Sequence, residues 1–322
     1  MLVTLLSRAI RIAAAFLYGS TGETIIEKSG HLNLGIPGIM CFGAVGGCIG
    51  ADMAQKGGAG AFGIIVATIF FAMLFAGAMG LLYGFFTISL RCNQNVTGLT
   101  ITTFGAGVLG FWRKNLLNIV VSDEGTITFK AASDFIKAPM FGAVGDDWFS
   151  KIFLSHGTLV YLAIIIAIVV AIVLKKTRTG LSLNAIGENP AAADAAGIKV
   201  IKYKYISCVL GAAIAGIGGA FCLLDLQSGS TEYPIEAIGW LAVALVIFSL
   251  WRPGIGILGS FVFGLLYVMP NYINGIGTEY KKILEIIPYA VTALVLIVIS
   301  FFNKRETQPP TALGVPYFRE DR

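Results

Sequence analysis

Long apolar runs separated by short polar connections set the pattern of this chain. The run from Leu159 to Leu174 (LVYLAIIIAIVVAIVL) is nearly long enough to cross a hydrocarbon core of about 30 Å, and its flanks can complete the span. Ala61 to Leu90 is longer and suits a tilted helix. Tyr205 to Leu224, Ile238 to Leu250, Ile255 to Met269 and Ile283 to Phe302 repeat the pattern, the last with a kink expected near Pro288. Two stretches are interrupted. One carries Gly30, Gly35, Gly38, Gly43, Gly46, Gly47 and Gly50 with Pro37; the other is RCNQNVTGLTITTFGAGVLGFW. Each is either a crossing or a re-entrant half-helix. Backbone in lipid must satisfy itself, so the expected fold is all-α: a polytopic helical bundle of about 8–10 membrane segments, some broken.

The first segment, Leu2 to Tyr18, carries Arg8 and Arg11 on one helix face. Each would cost about 2.5–3.5 kcal/mol at the membrane centre. The helix therefore lies partly in the interface, or both arginines face protein or water. A cleaved signal is not expected, because the apolar run after Arg11 is short and Ser20 to Lys28 is no small-residue cleavage region.

The connections set the orientation. Lys175 to Lys204 holds Lys175, Lys176, Arg178, Lys199, Lys202 and Lys204 against only Glu188 and Asp194. Such a surplus stays on the cytoplasmic side. Residues 113–155 are charge-balanced and fall outside; Asp146 and Asp147 there read as solvated loop acids. Residues 1–302 then form one transmembrane domain, and 303–322 a polar cytoplasmic tail. Lys281 and Lys282 run against this alternation, although Glu285 can offset one of them at helical spacing.

Composition agrees. Hydrophobic residues make up 56% and charged residues 13%, with a mean hydropathy of +0.81; a soluble domain carries about 25% charged residues. The 40 glycines suit close helix contacts. The net charge of +5 fits cytoplasmic loops, not a nucleic-acid surface. Cys41, Cys48, Cys92, Cys208 and Cys222 read as small buried hydrophobes, and His31 and His156 make no metal site with them. There is no phosphate loop of the G-x-x-x-x-G-K-[ST] kind, so no cofactor is expected in this chain and any ATP would be hydrolysed elsewhere.

Within the basic connection a short helix has marked ends. Asn189 can cap it, Pro190 suits the first position, Ala191 to Ala196 propagate it, and Gly197 can stop it. So few residues are marginal as a free helix. It either rests on the chain's own surface or fills a groove in another protein; in the second case Gly187, Glu188, Asn189, Pro190, Ala191, Ala192, Asp194, Ala195 and Gly197 carry the contact. Polar residues at the interrupted stretches offer uncharged donors and acceptors. Asn33, Gly35, Gly38, Asn95, Thr97 and Thr100, with Trp240, are candidates for a solute pathway, against a plain packing role. Such charge-free chemistry suits a neutral hydroxylated solute. Asp225, Gln227, Glu232 and Glu236 lie in the expected outer loop DLQSGSTEYPIEA.

Several motifs in order resemble a known superfamily. HLNLGIPGIMCFGAV resembles a segment of bacterial ABC importer permeases for branched-chain amino acids, ribose and nucleosides. TGLSLNAIGENPAAADAAGIKV is similar to the cytoplasmic coupling segment of that superfamily. NVTGLTITTFGAGV, AIGWLAVALVIFSLWRPGIGILGSFVFG and PTALGVPYFRED look like the nucleoside (basic membrane protein) branch, in its shorter permease type. Pro37 stands where Glu is common, and Tyr18 to Thr21 departs from a small apolar run; both bear on substrate. The resemblance implies a multi-pass protein of the bacterial plasma membrane that works in the lipid bilayer. Its partners would be a second related permease, a cytoplasmic ATPase holding ATP and Mg, and an extracytoplasmic binding lipoprotein, for whose docking Asp225, Gln227, Glu232 and Glu236 are the candidates. It implies nucleoside import, with ribose or another simple sugar as the rival cargo. An ion-coupled secondary transporter is the rival class; it needs intramembrane carboxylates, for which Glu285 is the main candidate.

Overall fold

The computed structural model describes residues 2–115, 130–142, 145, 147–226, 235–273, 283–284, 286–302 and 308–318. Asp146, Gln227, Glu232, Lys281, Lys282 and Glu285 lie outside them. Among the described residues every regular element is helical. In chain order these are α1 (Leu2–Lys28), α2 (Ile36–Lys56), α3 (Ala61–Gly84), α4 (Gln94–Asn115), α5 (Lys130–Lys137), α6 (Trp148–Phe153), α7 (Thr158–Lys176), α8 (Arg178–Glu188), α9 (Pro190–Ala195), α10 (Val200–Phe221), α11 (Ile235–Phe248), α12 (Pro253–Val268) and α13 (Ile287–Phe302). A π-helical turn extends α3 through Ser89, and another extends α10 through Leu226. Among the described residues six helices are long and apolar enough to cross a membrane: α1, α2, α3, α7, α10 and α12. The chain is a polytopic helical membrane protein.

Several elements are longer or start elsewhere than the apolar pattern suggests. α1 continues past Tyr18 to Lys28 because Ser20, Glu23, Thr24 and Glu27 are buried by neighbouring helices. α2 and α4, the interrupted stretches, are continuous helices of 21 and 22 residues. Pro288 does not kink α13; it sits in the first turn, where its missing N–H costs nothing. Cys92 is exposed, unlike the other four cysteines.

Glycine decides which helices lie inside. In α2 and α10, 78% of the apolar window is buried, against 39% for α3 with its extension and 33% for α7. The outer helices show large apolar side chains such as Phe62, Phe70, Ile165 and Ile172, as lipid-facing helices do. The inner pair touches backbone to backbone: a Cβ on Gly43 would overlap Gly216, and one on Gly219 would overlap the Met40 carbonyl. Gly22 of α1 meets Gly211 of α10 in the same way. Dispersion and close backbone approach hold helices together where the solvent is itself apolar. Gly43→Val should force α2 and α10 apart and cost about 1–3 kcal/mol or more, read as a lower thermal midpoint of the purified permease in detergent.

The two ends of the bundle differ. One is basic and gathers Lys28, Arg91, Lys175, Lys176 and Arg178 around α8 and α9. At the other end Arg11 donates from Nε to Asp225 Oδ1 (3.0 Å) and from a terminal nitrogen to the Asp225 carbonyl (2.8 Å). Arg8 lies over the Tyr272 ring at 5.7 Å. Arg11 thus faces protein, while Arg8 is exposed with one aromatic neighbour. Asp225 is not a surface acid for docking: it ends the π turn of α10, is 1% exposed, and is neutralised by Arg11. Polar residues that follow it in sequence give the appearance of a loop. Glu236, in the first turn of α11, is exposed.

Candidate functional site

The basic connection folds into two helices. Thr177 opens α8, its hydroxyl accepting from the Gly180 N–H (3.1 Å), and Leu183 and Ile186, three apart, are buried. Gly180 allows α8 to press on the Val173 carbonyl, and Gly187 allows it to press on the Lys28 carbonyl. Asn189 Oδ1 then accepts from the Ala192 N–H at 3.0 Å, Pro190 takes the first position of α9, and Gly197 follows with φ +84°. This geometry agrees with the ends marked in the sequence. α9 has two faces. Ala193 is buried with Ile186 and Val200, while Asn189, Ala192 and Ala195 are exposed, as is Glu188 at the end of α8. Ala191, Pro190 and Asp194 lie at the margin. A short helix with a smooth, small-residue outer face is a shape that a groove can grip. α8 itself is not anticipated from the sequence. Its signal is the Thr177 cap followed by two apolar residues at helical spacing.

The α1–α2 connection is a buried polar knot. Asn33 donates to Glu23 from its backbone N (3.2 Å) and from Nδ2 (3.3 Å), and its Oδ1 accepts from the Gly35 N–H (2.9 Å). The Leu32 N–H goes to Gln94 Oε1 at 2.8 Å, the Tyr83 hydroxyl to the Leu32 carbonyl at 2.8 Å, and the Thr102 hydroxyl to the Leu34 carbonyl at 2.7 Å. Trp251, in the α11–α12 turn, donates from Nε1 to Glu27. His31 is also enclosed, and burial, with the Lys204 ammonium nearby, holds its imidazole well below the ordinary range. Asn33 and Gly35 are therefore interior, not open to a pathway. Gly38 is where α2 meets α4, since a Cβ there would overlap the Ile101 carbonyl. These pairings offset most of the cost of burying so many polar groups, although Gln94 Nε2 has no hydrogen-bond partner among the described residues. Glu23, Glu27 and Trp251 are not singled out by the sequence; two acids one turn apart beside an apolar run are the signal that marks them.

α4 presents an open face of mixed character, with Val96, Leu99, Phe104 and Phe111 exposed beside its polar side chains. Asn95, Thr100 and Thr103 are exposed and Thr97 is half-buried. The hydroxyls of Thr97 and Thr100 donate to the Asn93 and Val96 carbonyls, each at 2.8 Å, as threonines in apolar surroundings do. A shallow groove runs along this face past Thr100, Thr103, Phe104, Gly107 and Phe111. Trp240 is half-buried on α11, beside Gly239, which packs on Pro37. The candidate pathway residues thus divide into an interior knot, an exposed α4 face and one α11 side chain.

Known proteins place this architecture. The family profile described as branched-chain amino acid transport system / permease component matches residues 5–300. The nucleoside ABC transporter permease NupC of Lactococcus lactis subsp. cremoris is 31% identical over 309 residues, covering 94% of this chain and 93% of its own. The guanosine ABC transporter permease NupQ of Bacillus subtilis is 30% identical over 320 residues, covering 96% and 95%. TsgC13 of Haloferax volcanii, an ABC transporter permease named for glucose, is 30% identical over 263 residues, covering 81% and 75%. With residues 5–300 matched by the family profile and relatives at 30–31% identity spanning nearly its whole length, the chain belongs to the ABC transporter permease family of the branched-chain amino acid transport type.

Proposed function

We propose that this permease imports nucleosides across the plasma membrane, driven by ATP hydrolysis on a separate ATPase bound to α9. The observation that supports it is the exposed Asn189–Ala192–Ala195 face of a capped helix seated on a basic connection. Positive charge keeps that end in the cytoplasm. Closure of the ATPase, with its ATP and Mg, pushes α9; α8 passes the push through the Gly187–Lys28 contact to α1. A binding protein delivers solute at the opposite end, where Glu236 is exposed, and a second related permease covers the α4 face, so that Asn95 and Thr100 border a shared pathway. Two relatives named for nucleosides span nearly the whole chain, which supports the cargo. A sugar is the second reading, favoured by TsgC13.

The test is uptake into vesicles reconstituted with the partner permease, ATPase and binding protein. Labelled adenosine, guanosine and uridine should enter only with ATP inside the ATPase compartment, and collapse of the proton gradient should leave the rate unchanged. Uptake of ribose or glucose without any nucleoside would overturn the cargo; uptake abolished by the collapsed gradient would overturn the energy source.

A further inference from the structure

The last described segment, residues 308–318, does not trail away from the bundle. Its Ala312 N–H donates to the Gly187 carbonyl at 2.9 Å and its Gly314 N–H to the Gly30 carbonyl at 3.1 Å. The Thr311 hydroxyl donates to the Glu188 carboxylate at 2.7 Å. Tyr317 packs with Ile186, Ala193 and Val200, which form the buried seat of α9, and its ring faces the Lys204 ammonium at 5.9 Å. The Phe318 ring lies under the Arg91 guanidinium at 4.5 Å. Pro310 and Ala312 are buried. One short stretch therefore holds the end of α8, the underside of α9, the α1–α2 connection at Gly30 and the α3–α4 connection at Arg91.

We propose that residues 308–318 are a working part of the coupling unit: a strap that makes α8–α9, the α1–α2 connection and the α3–α4 connection move together when the ATPase pushes. This deepens the function proposed above and rests on α9 being the ATPase contact. The physical argument is one of stiffness. α9 spans six residues and has no stability of its own at that length. A force on its outer face goes wherever its inner face is anchored. Tyr317 is part of that anchor, and two backbone hydrogen bonds carry the load onward to Gly187 and Gly30. Both acceptors are glycines at close approach. Gly30 has φ +87° and its Cα faces the Ala312 carbonyl, and a Cβ at Gly187 would lie 3.3 Å from Pro310 Cβ. A side chain at Gly30 would crowd the strap, and one at Gly187 would strike the Lys28 carbonyl first. The α1–α2 connection is also the polar knot that binds α3, α4 and the α11–α12 turn, so motion delivered at Gly30 reaches the inner helices.

The experiment uses the complete transporter in vesicles, comparing the full chain, a chain ending at residue 307, Tyr317→Ala, and a Thr311→Cys/Glu188→Cys pair in a Cys92→Ser background. Two quantities are read: ATPase retained on purification, and ATP hydrolysed per molecule of uridine imported. The shortened chain should keep the ATPase but spend about tenfold more ATP per uridine, and Tyr317→Ala should move the same ratio by about threefold. Oxidising the cysteine pair should leave uptake at the level of the same pair kept reduced, because a strap that moves with α8 need not detach. An unchanged ratio in the shortened chain would make the segment a passive tail and overturn the proposal. Uptake lost on oxidation would overturn it too, since the segment would then have to release. Ala192→Trp separates the two claims: normal coupling in that variant sinks the docking role of α9 whatever the strap does.

Discussion

Ala192→Trp should abolish solute-stimulated ATP hydrolysis in the assembled transporter and reduce uptake by about tenfold or more, while the isolated permease stays folded. Ala192 is on the exposed face of α9, and its side chain supports nothing within the chain. An indole there leaves the Asn189 cap intact, because that bond uses the Ala192 backbone N–H. It would, however, fill the groove that receives the helix. The contrast is Ala193→Trp, at a buried position packed with Ile186 and Val200; that change should unseat α9 and lower stability as well. Stimulated ATPase activity and thermal midpoint, measured for both variants, separate contact from packing. Normal stimulation in Ala192→Trp would mean that the ATPase grips the permease elsewhere.

The second large effect is at the opposite end. Arg11→Ala should cost about 3 kcal/mol or more, because it strands the Asp225 carboxylate in the interior. Asp225 is 1% exposed, while the arginine side chain is 32% exposed, so the penalty comes mainly from the acid left behind rather than from a lost attraction. Two partners are lost at once, the carboxylate and the Asp225 carbonyl. The double change Arg11→Leu with Asp225→Leu should recover most of the loss, since an apolar pair of similar volume needs no compensation. Thermal midpoints of the two single variants and the double, in one detergent, measure the coupling directly. Equal midpoints for Arg11→Ala and the unaltered protein would show that water or lipid headgroups already satisfy Asp225.

Much of the architecture is legible in the residues because lipid imposes a simple rule. Apolar runs such as Leu159 to Leu174 must become helices, and α7 does. The ends of α9 are legible for a local reason: a cap, a proline and a glycine act within a few residues of themselves. Positions set by distant partners are not. Trp251 donates to Glu27, 224 residues away, and Thr311 to Glu188, 123 residues away; neither pairing has a periodicity to betray it. Asp225 reads as a loop acid because its neutralising partner, Arg11, is in the first helix. Asn33 reads as a pathway residue because an asparagine in an apolar stretch advertises the same chemistry whether it meets solute or a glutamate. The short helix α9 and its ends are therefore readable, and the buried polar knot is not.

The glycine seam between α2 and α10 has a consequence for how variation can accumulate in this protein. Where Gly43 meets Gly216 and Gly219 meets the Met40 carbonyl, no side chain is available to trade volume with a neighbour. A residue gained on one helix has no counterpart to shrink on the other. Drift in this bundle is therefore channelled to its greasy outer wall, where Phe62, Phe70 and Ile165 can exchange freely, and the central contact tolerates no stepwise repair.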